Sequence, residues 1–159
     1  MNTEPLPGPI LLAPQQPSHF KRIILPWEKP PLSMNDSAPA SKGAVYAKAA
    51  TIREIQQAVR LLARNVRLPE GYGYMLVQLN YRPRDNRARD TDNLAALLKP
   101  VCDALGDGSK KWPGLKIVAT DTPKHMGKPE PIIWPAKKGA RGSLWLDLWA
   151  VKTPPEPYI

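Results

Sequence analysis

From about Tyr46 to Val66 the apolar residues Ile52, Ile55, Val59, Leu62 and Val66 recur at intervals of three and four, and a few residues later the period drops to two. This change of period constrains the fold more than any other feature. The first spacing lays one apolar stripe along a helix, and the second gives a strand one apolar face. In YMLVQLNYRP (74–83), Met75, Val77, Leu79 and Tyr81 share a side. In GSLWLDLWAVK (142–152), Leu144, Leu146 and Leu148 oppose Trp145 and Trp149. HFKRIILPW (19–27) reads as a strand stopped by Pro26, and LKIVATD (115–121) as a further short strand. A second helix starts at Asp92, with Leu94, Leu97, Leu98, Val101 and Leu105 on one face. Leu68-Pro69-Glu70-Gly71 closes the first helix, and EKPPLSMNDSAPASKG (28–43) is a loop by its proline, serine and glycine content. The proline-rich, basic PKHMGKPEPIIWPAKKGARG (123–142) reads as a long hairpin arm rather than a packed element. The expectation is therefore an α+β fold with a small mixed β-sheet and two main helices, in the order β-α-β-α-β-β.

At 159 residues, one domain is the simplest division. Residues 1–18, with five prolines and no periodicity, are expected to be a disordered proline-rich leader, residues 19–152 the domain, and residues 153–159 a proline-rich tail. Lys and Arg outnumber Asp and Glu by 23 to 14, a formal charge of +9 that favours polyanionic partners such as nucleic acid. The single cysteine, Cys102, rules out an intrachain disulfide and suits a reducing compartment. His19 and His125 lack zinc-ligand spacing. No apolar run approaches the roughly 18 residues of a membrane span, and no charged segment followed by an apolar one opens the chain. A soluble, cytoplasmic protein with no membrane partner is expected.

The acids are unevenly placed. Six of the 14 are aspartates between positions 85 and 121: Asp85, Asp90, Asp92, Asp103, Asp107 and Asp121. In RARDTDNLAALLKPVCDAL (87–105), Asp90 and Asp92 are one residue apart where extended chain becomes helix, so both carboxylates can face one point. Two such anions repel unless a cation lies between them, and a hard divalent ion such as Mg²⁺ takes oxygen ligands. The ordinary alternative is that Asp92 only caps the helix, which leaves Asp90 unexplained. Lys99 and Asp103 project opposite the apolar face, with Lys99 about 10.5 Å along the axis from Asp92. Lys99 could reach a phosphate bound near the metal, or form a solvated pair with Asp103. Pro100 removes a backbone hydrogen bond inside this helix and predicts a bend near Ala96. Asp121, ending the expected strand 115–121, is the candidate third carboxylate, though an aspartate there is also a common turn residue. Arg84, Arg87 and Arg89 either draw a DNA backbone towards the acids or balance their charge. Arg53, Arg60, Arg64 and Arg67 share the polar face of the first helix, as a phosphate-contacting stripe or, more commonly, a solvated one.

Together these residues resemble the RusA family of Holliday junction resolvases, including its phage-encoded members. The resemblance runs over most of residues 20 to 150. It is carried by Leu25, Pro26 and Trp27, then Pro30, Pro31 and Asn35, by RARDTDNL, by Lys99 followed by Asp103 to Leu105, and by the later DTPKHMGKPEP. It implies a RusA-like, homodimeric, Mg²⁺-dependent endonuclease, with Mn²⁺ as a substitute and no organic cofactor. Such an enzyme binds branched DNA and nicks four-way junctions symmetrically, in the cytoplasm of a bacterial host if phage-encoded. By the same resemblance Asp90, Asp92 and Asp121 hold the metal and Lys99 is the essential lysine. Separately from the resemblance, Arg84, Arg87, Arg89, Asn93, Lys110 and Lys111 are the residues expected to meet the DNA. Many members carry paired acids where this chain has Thr120 and Asp121, and the shortest have three fewer residues between the equivalents of Asn93 and Lys99. The opposing reading is a non-catalytic, basic DNA-binding protein whose aspartates are structural caps. A nucleotide-sugar transferase using Asp-x-Asp fits less well, because no glycine-rich nucleotide-binding turn precedes the motif.

Overall fold

The computed structural model describes residues 19–32, 42–68 and 71–154. The expected leader, the end of the tail and Asn35 lie outside these residues. Within them the chain forms β1 (His19–Ile24), α1 (Lys42–Asn65), β2 (Tyr74–Arg82), α2 (Asp92–Leu105), β3 (Met126–Gly127), β4 (Ile132–Ile133) and β5 (Ser143–Val151). The fold is α+β, as expected, with one strand more than the sequence suggested.

The sheet is mixed. β5 lies between β1 and β2, antiparallel to both, and pairs with β2 over nine positions from Tyr74↔Val151 to Arg82↔Ser143. β3 and β4 pair in parallel with the other edge of β2. The alternation read from the sequence sets the faces. Ile23, Met75, Val77, Leu79, Leu144, Leu146 and Leu148 point into the main core, where they meet Ile55, Val59 and Ala63 of α1 and Leu94, Leu97, Val101 and Leu105 of α2. Both helices therefore cover one face of the sheet. The opposite face holds a smaller apolar cluster of Tyr74, Leu76, Trp149 and Val151, with Phe20 packed against it.

Beside that cluster a polar ladder crosses the sheet. Asp147, fully buried on β5, accepts Arg22 Nε at 2.6 Å and Arg22 Nη2 at 3.1 Å from β1. On its other side Asn80 Nδ2 of β2 donates to Asp147 at 3.3 Å, and Trp134 Nε1 donates to Asn80 Oδ1 at 3.0 Å. Trp134 stacks on Trp145, and the guanidiniums of Arg22 and Arg82 lie 5.8 and 5.9 Å from the Trp145 ring. Cations within about 6 Å of an aromatic ring are attracted by its quadrupole.

Two expectations fail here, each for a backbone reason. Residues 115–121 form no strand. They run back along the end of α2, whose last carbonyls have no partner within the helix. Leu115 N donates to Ala104 O, Lys116 N to Gly106 O and Ile117 N to Leu105 O. Lys116 takes a left-handed φ of 54°, which breaks any extended run, while Ile117 and Val118 are buried. Residues 123–142 are not a free arm. Besides β3 and β4, Gln78 Nε2 holds Glu130 O at 2.8 Å, Trp134 N donates to Tyr81 O at 2.7 Å, and Ala136 N donates to Asn86 Oδ1 at 2.8 Å.

α1 starts at Lys42, earlier than the periodicity marked. It ends with Arg67 at a φ of 53° and Leu68 N returning to Ala63 O. That left-handed closure places Arg67 outside the helix and off the expected arginine stripe. Arg53 is partly buried, its guanidinium 5.4 Å from the Trp112 ring. α2 runs without interruption through Ala96 and the buried Pro100.

Removing one partner of a buried ion pair strands the other charge, at about 3–5 kcal/mol. Asp147→Ala should therefore lower the unfolding free energy by about that much in urea titration. Arg22→Met in the same background should recover part of the loss, and additive losses would show that the pair is not coupled.

Candidate functional site

The site is built around the N-terminus of α2 and the loop that feeds it. Pro83 to Asp90 leave β2 as a loop folded about one carboxylate. Asp85 receives Arg87 Nη2 at 3.1 Å and Arg89 Nη2 at 2.7 Å, with Arg84 Nε at 4.0 Å. Hydrogen bonds from Arg87, then Arg89, hold the Asp85 carboxyl far below the usual carboxylate range. Arg89 also donates to the carbonyls of Asp85 and Arg87, which shapes the loop from within. The arginines are thus brought together as expected, but their charge is balanced by Asp85 rather than by the Asp-x-Asp pair.

Asp90 and Asp92 are both exposed. Asp90 Oδ1 accepts the backbone N–H of Asp92 at 3.0 Å, and Thr91 is the N-cap residue without a side-chain cap bond. The capping contact thus belongs to Asp90, and Asp92 is the first residue of α2. Among the described residues no hydrogen bond or ion pair engages the Asp92 carboxylate. Thr91 Oγ1 donates to Glu130 Oε1 at 2.6 Å, tying this end of α2 to the β3–β4 connection.

Further along the same face of α2, Lys99 Nζ contacts Asp103 Oδ1 at 2.9 Å and Asp121 Oδ2 at 3.1 Å, and Lys128 Nζ reaches Asp121 Oδ2 at 3.2 Å. The hydrogen bond to Asp103 raises the Lys99 ammonium above its usual range, assisted by Asp121. Partial burial pushes the Asp121 carboxyl up, but hydrogen bonds from Lys99 and Lys128 outweigh it and hold the group low. Lys99 thus pairs with Asp103, the alternative weighed from the sequence, and also with Asp121, which was expected beside Asp90 and Asp92 instead. Asp121 reaches Lys99 because residues 115–117 are bonded to the end of α2, not because they form a strand.

As hard, exposed oxygen donors at a helix N-terminus, Asp90 and Asp92 suit a divalent cation such as Mg²⁺ in type. The expected convergence of three carboxylates is not seen. Among the described residues no group of three His, Cys, Asp or Glu side chains is placed to hold a metal ion. Lys110 and Lys111 are exposed in the turn beyond the other end of α2, whose axis runs about 20 Å from Asp92 to Leu105. Cys102 is buried, and burial pushes its thiol up to about 12, which makes it inert.

Two depressions adjoin at the loop. A cleft of about 810 Å³ is lined by Trp27, Lys29, Tyr81, Arg84, Arg87 and Arg89, among others. A shallower one of about 670 Å³ is lined by Ala88, Arg89, Asp90, Thr91 and Asn93, so Arg89 is common to both. The wall of the cleft is tight at Gly142, where a Cβ would run into the carbonyl oxygen of Glu28.

The sequence marked Asp90, Asp92, Lys99, Asp121 and the arginines, but not the roles of Asp85, Lys128, Glu130 or Trp27 here. Asp85 was visible as an acid flanked by Arg84 and Arg87. Lys128 and Glu130 lay in the segment DTPKHMGKPEP that carries part of the resemblance, but nothing local placed them near α2, since pairing with β2 brings them there. No family model matches this chain, and no curated protein matches it.

The depressed Asp121 carboxyl contributes stability that is complete above the ordinary aspartate value near ~3.9 and is lost as pH falls through the lowered value. The raised Lys99 contributes stability that is complete below about 10.4 and is lost as pH rises through its raised value. Carbon-detected NMR titration should show Asp121 titrating below ordinary aspartate, and Lys99→Met should move it back up. An unchanged Asp121 titration in that variant would show that Lys99 does not hold it.

Proposed function

We propose that the chain is a Mg²⁺-dependent, structure-selective DNA endonuclease that acts as a homodimer and resolves four-way junctions by paired nicks. The observation that carries this reading is the pair of exposed carboxylates, Asp90 and Asp92, beside an arginine-walled cleft and at the start of the helix that presents Lys99. The resemblance of RARDTDNL, Lys99 and the flanking segments to the RusA family supports it, as does the net charge of +9.

In this reading Arg84, Arg87 and Arg89 bind backbone phosphates, with Asn93 beside them. Asp90 and Asp92 would hold the divalent cation, which supplies a lowered pKa for the attacking water and stabilises charge on the phosphate. Lys99, oriented by Asp103 and Asp121, offers a cation to the charge that develops on the reacting phosphate. The resemblance also assigns Asp121 to the metal. Its ion pairs with Lys99 and Lys128 give it a second task, fixing where the lysine stands. Lys110 and Lys111 extend the basic surface beyond α2 and would meet a different stretch of DNA from the arginines. Two coordinated nicks need two copies of the site, hence the homodimer.

One observation favours a second reading. Asp90 accepts the Asp92 backbone N–H, as a structural cap does, and a non-catalytic DNA-binding protein needs nothing more from it.

Incubating the protein with a labelled four-way junction and a matching duplex, with and without Mg²⁺, separates the two. Paired nicks near the crossover, only with metal, are expected, and tight binding with intact junctions throughout would favour the non-catalytic reading. Asp90→Asn and Asp92→Asn should abolish cleavage and leave junction binding in place. Lys99→Ala should slow cleavage by about 10²–10³-fold, the usual loss when one charge-stabilising donor is removed. Binding should also weaken steeply with salt, because each phosphate contact releases counterions.

A further inference from the structure

We infer that the cleft between the Trp27 loop and the arginine loop is a binding site for one unpaired nucleotide of a single DNA strand, its base against Trp27 and its phosphate on the arginines. The inference rests on the DNA-binding part of the proposed function and not on its chemistry. The cleft has the size, composition and position for such a ligand. Its volume of about 810 Å³ is within the roughly 300–1,000 Å³ of small-ligand sites.

Its walls are of two kinds. The loop after β1 contributes Trp27, half-buried and packed on the core, Lys29, and the prolines Pro26, Pro30 and Pro31, whose rings fix the backbone. Tyr81, almost fully buried, also lines it. The loop after β2 contributes Arg84, Arg87 and Arg89. Arg84 and Arg87 are 77% and 75% exposed, so each keeps donors facing solvent beside its contact with Asp85. Among the described residues the one carboxylate lining the cleft, Glu28, is offset by Arg141 Nη1 at 2.9 Å.

Aromatic and cationic side chains lining one cleft are the combination that holds single-stranded nucleic acid, because every base has a stacking face and every nucleotide a phosphate. A base paired within a duplex cannot enter such a cleft without leaving its stack. Since Arg89 also borders the depression at Asp90, a nucleotide in the cleft sets the neighbouring backbone beside the aspartate pair. The site would thus select DNA whose strands are already opened, as at a branch, with little preference for sequence.

The test uses the full chain in EDTA, with dye-labelled thymidine strands and fully abasic strands of equal length and charge, read by fluorescence anisotropy. The wild-type protein should bind the thymidine strand at least about fivefold more tightly, the lower bound for stacking one base. Trp27→Phe should keep that preference and Trp27→Ala should lose it. If alanine unfolds the protein, Trp27→Leu, which keeps the core contact, takes its place. Equal binding of both strands by the wild type overturns the proposal, as does an undiminished preference in a folded Trp27→Ala or Trp27→Leu variant. Cleavage is not read in this assay. A protein that discriminates the strands but never nicks a junction loses only the endonuclease reading, and one that nicks junctions but binds both strands equally loses only the cleft.

Discussion

A carboxylate buried in the middle of a sheet has to be answered from both sides, and Asp147 is answered by Arg22 on one side and Asn80 on the other. The ladder continues through Asn80 to the Trp134 indole, so one chain of polar contacts links β1, β5, β2 and the segment after β4. Taking two charges out of water costs several kcal/mol per ion, and only good geometry with further hydrogen bonds offsets it. The bidentate contact at 2.6 and 3.1 Å meets that requirement. Such a ladder also specifies register. A slip by one residue would turn Asp147 into the apolar core and Leu146 out of it, and neither would find a suitable partner.

The edge of the sheet carries this order to α2. Gln78, next to Asp147 across the strands, holds the Glu130 carbonyl, and the Glu130 carboxylate holds Thr91 at the start of the helix. The N-terminus that presents Asp90 and Asp92 is thus tied to the sheet through two hydrogen bonds. The loop before it is organised separately, by Asp85 and its arginines. A single anion serving three cations leaves the loop net positive while fixing its shape. This allows a basic surface to lie directly beside the acidic pair without collapsing onto it.

Most of the fold was legible because its long elements announce their period. α1, β2, α2 and β5 follow from apolar spacing, and the two faces of β2 and β5 fell where alternation placed them. The segments that failed are short and lack a period. Residues 115–121 have the composition of a strand, but their N–H groups are taken by the open end of α2. β3 and β4 are two residues each and exist only because β2 has an edge to pair with. The site divides in the same way. Asp90, Asp92, Lys99 and the arginines stand out in one run of sequence. Lys128 and Glu130 enter from a segment whose position depends on long-range pairing, which local pattern cannot report. Asp147 was visible as an acid between leucines, yet its partner Arg22 lies 125 residues away in sequence.

The contact at Gly142 bears on how such a cleft could diversify. Because the start of β5 meets the Glu28 carbonyl backbone to backbone, the spacing of the walls there is set by main chain and not by the side chains that line it. Cavities held open by side-chain packing tend to close or distort when a lining residue shrinks. Here the frame and the lining are separable. Selection could alter Lys29, Arg84 or Arg87, and with them the preference among ligands, while position 142 would have to remain glycine throughout.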